Sequence, residues 1–457
     1  MRLLQPLFRW DPVEAQFSNH ARVQGLLDFE AALARAEARA GVIPASAAAP
    51  IAAQCRAELF NMDELAQAAA SAGNLAIPLV KRLTALVAAS DKDAQRFVHW
   101  GATSQDAIDT GLVLQLRAAL RLIESEFETF SSALAHLAEK HRATPIAART
   151  WMQQALPTTF GMKAAAWLDA VNRDRLRLAA ARRNAEVLQF GGAVGTLASL
   201  GDKGLEVAKA LSEDLHLALP DLPWHTQRDR IAEVATALGI ATGTLGKIAR
   251  DISLHTQTEV AEVFEPAAPG RGGSSTMPHK RNPVTCAVVL SAATRVPGLV
   301  GTMLSSMVQE QERGLGGWHA EWEIFPEIIS LAAGALHHLT ETIAGLEVDT
   351  ARMAANLELT HGLLFAEAVQ MALGKTIGRQ QAHELIEAAC KRAQKENRHL
   401  RDVLAEDATV AKHLNKEALT KLFDPAHYLG VAEQFINRVL AAHAAQNTKK
   451  TPAKEGK

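Results

Sequence analysis

Residues 272–283 join a glycine pair to Ser274, Ser275, Thr276, Met277, Lys280, Arg281 and Asn282. Glycine lets backbone approach a ligand closely, Pro278 and Pro283 fix φ, and adjacent Lys and Arg side chains hold carboxylates. A hydroxyl such as that of Ser274 becomes a base when nearby amides and an ammonium like that of Lys280 stabilise its alkoxide. A solvated basic turn would account for any one of these residues, but it does not require their order. The chemistry expected is proton transfer on an anionic substrate. A phosphate-binding P-loop is excluded, because Lys280 follows His279 and precedes Arg281. Gly191-Gly192-Ala193-Val194-Gly195 is not a dinucleotide fingerprint either, since no β-branched run leads into it; it reads as an active-site or interhelix turn.

Two further segments are dense in polar groups. In 99–106, Thr103 and Ser104 stand just ahead of a long helical pattern with Asp106 in its first turn, which fits N-capping and equally a carboxylate site. In 148–159, Gln153, Gln154 and Thr158 offer neutral hydrogen bonds, while Trp151 offers an apolar wall or a core residue. His141 reads as a helix C-terminal cation or a rival proton donor. Arg228 has two readings as well, a substrate carboxylate or a structural partner such as Asp229.

Taken in order, these segments resemble the three signature regions of the fumarase/aspartase superfamily. The loop follows Gly-Ser-Ser-x-Met-Pro-x-Lys-x-Asn without a break. The Thr-Ser-x-Asp and Gln-x-x-x-Pro-x-Thr regions, with Phe423-Asp424-Pro425 and Tyr428-Leu429-Gly430, match its adenylosuccinate lyase branch. The resemblance implies an all-α, three-domain subunit with a central long-helix bundle, assembled as a homotetramer whose active sites are shared between subunits. By position it implies that Ser274 is the catalytic serine and that Lys280 and Asn282 bind a substrate carboxylate and enolate, with Ser275 and Met277 beside them. Thr103 with Ser104 would form a second carboxylate site, and Gln153 and Thr158 would contact substrate.

The departures are as informative as the matches. Trp151 stands where lyases that expel an amine or water have a His, and Ala287 where they have the Glu that charges it. A general acid contributes about 10²–10⁴ in rate when the leaving group is poor. A carboxylate, whose conjugate acid has a pKa of about 4, leaves without a proton. Losing both members of the acid pair therefore resembles the lactone-forming cycloisomerases of the superfamily. In these a carboxylate of a small tricarboxylate adds within its own molecule across an activated double bond, and a proton goes to the carbon α to another carboxylate. The turn 189–196 and the stretch 74–78 resemble the same branch. An adenylosuccinate lyase-type elimination and a non-catalytic protein on the same scaffold are the alternatives.

The elements that must position these residues are helical. Of 457 residues, 48% are apolar but only 5% aromatic, so alanine and leucine carry the core, which favours helices. Periodicity predicts helices over 12–40 and 77–89, then five long ones over 106–141, 158–188, 228–263, 283–311 and 321–346. We divide the chain into an N-terminal helical domain (1–105), the central bundle with the loop (106–360), a C-terminal helical domain (361–445) and a frayed tail (446–457). A net charge of −2 argues against a broadly basic, nucleic-acid-binding chain. Cys55, Cys286 and Cys390 are too scattered for a disulfide framework or zinc site. His337-His338 and Glu310, Glu312, Glu321 and Glu323 read as a polar helix face, so no metal or organic cofactor is expected. With no signal-like segment and no uncharged run of spanning length, a cytoplasmic protein without membrane partners is expected.

Overall fold

Apolar residues three and four apart, with few β-branched runs, build helices throughout the computed structural model. It describes residues 3–267, 270, 272, 273, 276, 277 and 279–448; Ser274, Ser275 and Pro278 lie outside the described residues. The first long helix, α1, spans Asn19–Arg39. All five long central helices are present: α2 (Ser104–Lys140), α3 (Phe160–Ala185), α4 (Asp229–His255), α5 (Val284–Ser305) and α6 (Gly317–Ala344).

Three local readings change. The 12–40 pattern is broken, because the short helix Asp11–Gln16 ends at Phe17 and Ser18 then caps α1 by accepting from the Ala21 amide. The fourth long helix stops at His255, and Val263–Phe264 (β3) instead pairs antiparallel with Glu347–Val348 (β4). Between α2 and α3 lies a hairpin that helical periodicity does not reveal, β1 (Pro145–Thr150) against β2 (Gln153–Thr159). Thr159 closes it by accepting from the Met162 amide at 3.0 Å, capping α3.

The chain forms two compact units. One gathers the residues up to Phe127, Asp174–Gly246 and Val288–His338; the other gathers Glu128–Arg173, Lys247–Ala287 and the chain from Leu339 onward. In the first, Leu26, Leu27, Phe29 and Leu33 of α1 are buried, as are Leu116, Leu120 and Ile123 of α2, each such side chain contributing about 1.5–3 kcal/mol. Here α1 meets α2 backbone to backbone, since a Cβ on Gly25 would lie 2.8 Å from the Gly111 carbonyl oxygen. The small-residue stretch 237–246 does similar work within the chain, with Gly246 packed against Ala293 of α5. In the second unit a C-terminal core forms around Phe365, Val369, Leu373, Ile386, Leu404 and Phe423.

By length and composition α4 and α5 would each be long and apolar enough to cross a membrane. The most apolar stretch of α4 is 61% buried in its own chain, that of α5 only 33%.

Candidate active site

In the first unit, everything near the Thr103-Ser104 pair is organised by Asp106, which is wholly buried. One carboxylate oxygen accepts from the amides of Thr103 (3.0 Å) and Gly192 (2.9 Å). The other accepts from the Gly191 amide (3.0 Å) and Gln189 Nε2 (3.2 Å), and lies 2.9 Å from His225 Nε2. A single helix-capping carboxylate thus ties the 189–196 turn to the head of α2, and anionic acceptors at an N-terminus are favoured twice, by hydrogen bonding and by the helix dipole. The Asp106 N–H donates to the Thr103 carbonyl at 3.0 Å, so the Thr103 hydroxyl is not used as a cap. It accepts instead from Arg313 Nη1 at 2.8 Å, and Ser104 Oγ from Arg313 Nη2 at 3.4 Å. Two half-buried hydroxyls and a guanidinium therefore converge, a set suited to a carboxylate.

Arg313 was not among the residues expected from sequence. It lies in the irregular connection between α5 and α6, where no periodicity or motif marks it, so only the fold brings it to Thr103. Arg228, by contrast, does not meet the expectation that it contacts substrate. Its side chain is 1% exposed, and its fork is occupied by Asp109 (2.7 and 3.1 Å) and Glu321 (2.5 to 3.1 Å). Trp318 Nε1 completes the Asp109 shell at 3.0 Å. Glu321 thereby leaves the expected polar helix face for a buried ion cluster. His99, at a φ of 59°, places Nδ1 2.6 Å from buried Glu30. Burial opposes its charge, but Glu30 outweighs burial and its pKa is raised.

In the second unit, the base of the signature loop is pinned. The Asn282 amide donates to the Gly272 carbonyl at 2.9 Å, and a Cβ at Gly272, where φ is +66°, would sit 2.7 Å from the Asn282 oxygen. Lys280 N–H donates to the Met277 carbonyl at 3.0 Å, leaving an exposed ammonium side chain. Lys280 and Asn282 line one cavity with Thr256 and Phe264. Arg281 is a clamp: it reaches Glu347 (2.8 Å) and the Glu265 carbonyl (2.8 Å) across the Phe264 ring. The Glu265 carboxylate caps α5 through the Thr285 and Cys286 amides. Ala287 is exposed on the first turn of α5.

The hairpin carries Trp151 and Met152 at its tip, 98% and 69% exposed, with Gln153 exposed beside them. Thr158 sits further down β2 opposite Ile146. A buried tryptophan core residue is thereby excluded for Trp151. His141 is buried and edge-on to Phe160, its Nδ1 3.1 Å from Thr144 Oγ1. Burial, then the neighbouring Lys140 and His136, lower its pKa, so it is a neutral imidazole rather than the expected terminal cation.

Hydroxyl, amide and cationic groups on this helical scaffold suit carboxylate ligands, and comparison with known proteins supplies the class of enzyme. A family model described as lyase matches residues 9–298, and one described as adenylosuccinate lyase C-terminus matches 362–439. The chain belongs to this lyase family, that of the fumarase/aspartase enzymes. It is 57% identical to a 3-carboxy-cis,cis-muconate cycloisomerase of Pseudomonas aeruginosa, over 99% of this chain and 98% of that one. The corresponding protein of Bradyrhizobium diazoefficiens is 53% identical over 96% and 97%. The crystal structure of a 3-carboxy-cis,cis-muconate lactonizing enzyme from Pseudomonas putida superposes with a TM-score of 0.94 at 52% identity, covering 98% of this chain and all of that one.

Proposed function

We propose that the protein is a cycloisomerase that converts 3-carboxy-cis,cis-muconate to 4-carboxymuconolactone, a step of protocatechuate breakdown. The observation that carries this reading is the joint replacement of the acid pair by Trp151 and Ala287, supported by the named relatives. A purine-type lyase would need the acid that both positions lack. In the forward direction a substrate carboxylate oxygen bonds to a diene carbon, electrons move toward a second carboxylate, and the resulting enolate takes a proton at carbon. Lys280 holds the charge-gathering carboxylate with Asn282 and amides near Met277, an oxyanion-type role. Ser274, flanked by Ser275, gives the proton to carbon. Thr103, Ser104 and Arg313 hold another carboxylate, while Gln153 and Thr158 orient the substrate and Trp151 excludes water. His141, neutral and enclosed, is the weaker candidate for the donor.

The three-domain division with borders near 105 and 360 belongs to the same reading, as do a cytoplasmic location and a homotetramer that shares its sites between subunits. An exposed tryptophan at a hairpin tip and an apolar α5 with little cover in its own chain support such an assembly. The test is loss of the diene ultraviolet absorption of 3-carboxy-cis,cis-muconate, with adenylosuccinate and argininosuccinate assayed in parallel. Turnover of adenylosuccinate alone would overturn the reading.

A further inference from the structure

The β1–β2 hairpin closes through two residues, Trp151 and Met152, that both have positive φ, 50° and 67°. Turns of that hand favour Asn and Gly, and a bulky side chain there costs about 1–3 kcal/mol. Such strain persists only where the surroundings over-determine it. One cross-strand pair below Thr150 and Gln153, Arg149 faces Gln154. The Arg149 fork grips Glu262 at 3.0 and 2.8 Å, and Gln154 Nε2 donates to the Asn356 carbonyl at 3.0 Å.

Glu262 is the centre of this anchorage. It is fully buried, and it accepts from Asn356 Nδ2 at 2.8 Å and from His255 Nδ1 at 2.6 Å. Burial alone would raise its carboxyl, but the hydrogen bonds from His255, Arg149 and Asn356 hold it down at about 2. Burial keeps His255 neutral, so its Nδ1–H is a donor. The Glu262 backbone is fixed as well, donating to the His255 carbonyl at 2.9 Å and accepting from the Asp349 amide at 3.0 Å.

We propose that Glu262 is a positioning residue for the reaction. Through Arg149 it holds the hairpin tip in its strained turn, and without its charge the tip relaxes and Trp151 with Gln153 leaves its working position. The catalytic part rests on the function proposed above; the lock on the hairpin does not.

The test combines hydrogen exchange with steady-state kinetics on the full chain and its variants Glu262→Gln, Arg149→Lys, Met152→Gly and the double variant Glu262→Gln/Met152→Gly. In Glu262→Gln, amides of 145–159 exchange faster while those of the C-terminal core keep their protection, and kcat falls about ten- to a hundredfold. Arg149→Lys keeps the charge but not the fork. It reproduces the faster exchange, and decides the matter if Glu262→Gln does not fold. Met152→Gly relieves the strain at the second turn position, so the double variant recovers most of the lost turnover. A glutamate that only stabilised the fold would show no such rescue. Unchanged hairpin exchange in Glu262→Gln and Arg149→Lys, or a loss of kcat that Met152→Gly does not restore, overturns the proposal. If the wild-type chain fails to turn over 3-carboxy-cis,cis-muconate, the functional reading fails and the exchange measurements alone judge the lock.

Discussion

A cation that rests on two hydroxyls is poised for an anion, and this gives Arg313 a distinct kinetic signature. Arg313→Met is expected to raise KM about ten- to a hundredfold with a smaller effect on kcat, because it removes an interaction made in both ground and transition states. Ser274→Ala is expected to do the reverse, lowering kcat by about 10²–10⁴ at an unchanged circular dichroism spectrum. Near-normal turnover would dismiss the serine as proton carrier. Motif order singled out Ser274, Lys280 and Thr103 in the sequence, since each is defined by its neighbours in the chain, and the structure sets Thr103 beside Arg313. Arg313 and Glu262 were not legible, because their roles exist only once residues some two hundred and one hundred positions away, Thr103 and Arg149, fold against them. The two readings of Arg228 could not be separated for the same reason: its structural partners Asp109 and Glu321 are invisible to a local reading.

Among the elements, the head of α2 depends on one carboxylate serving several donors. Asp106→Asn turns one of its oxygens into a donor facing backbone N–H groups, so a loss of about 3 kcal/mol is expected, read as a lower denaturant midpoint. An unchanged midpoint would mean that the 189–196 turn holds itself. The long helices could be read from the chain to within a few residues at most ends because leucine and alanine recur with their period. The hairpin could not, because Ala148 to Thr159 has neither a two-residue alternation nor a turn dipeptide of the usual kind; what makes it a hairpin is a bulge and a strained tip. Another element carries a pH effect. Glu37 of α1 is fully buried, neither carboxylate oxygen has a hydrogen-bond partner among the described residues, and burial followed by nearby Glu30 pushes it up to about 9. A group whose folded pKa is raised stabilises fully below its unfolded value near 4.5 and loses that contribution as pH climbs toward 9. Glu37→Gln is therefore expected to raise the melting temperature near pH 8 by at least ~3 °C and to leave it nearly unchanged near pH 4; equal shifts at both would refute the assignment.

For the molecule as a whole, the proposed sharing of sites between subunits would let two impaired variants rescue each other when assayed well below the wild-type KM. Ser274→Ala and Thr103→Val chains, unfolded together and reassembled, are expected to regain about a quarter of wild-type activity, because that share of sites draws both regions from intact chains. Absence of any recovery would place each site within one subunit. The strained hairpin also bears on how such a protein responds to selection. Natural chains sit above a stability threshold rather than at an optimum, and strained positions are where stabilising changes are easiest to find. A library screened only for survival of heating should enrich Asn or Gly at both 151 and 152. Screened for growth on the aromatic acid that feeds this reaction, it should release 152 and keep the tryptophan. The two adjoining positions would then separate, within one turn, a sequence preference owed to folding from one owed to chemistry.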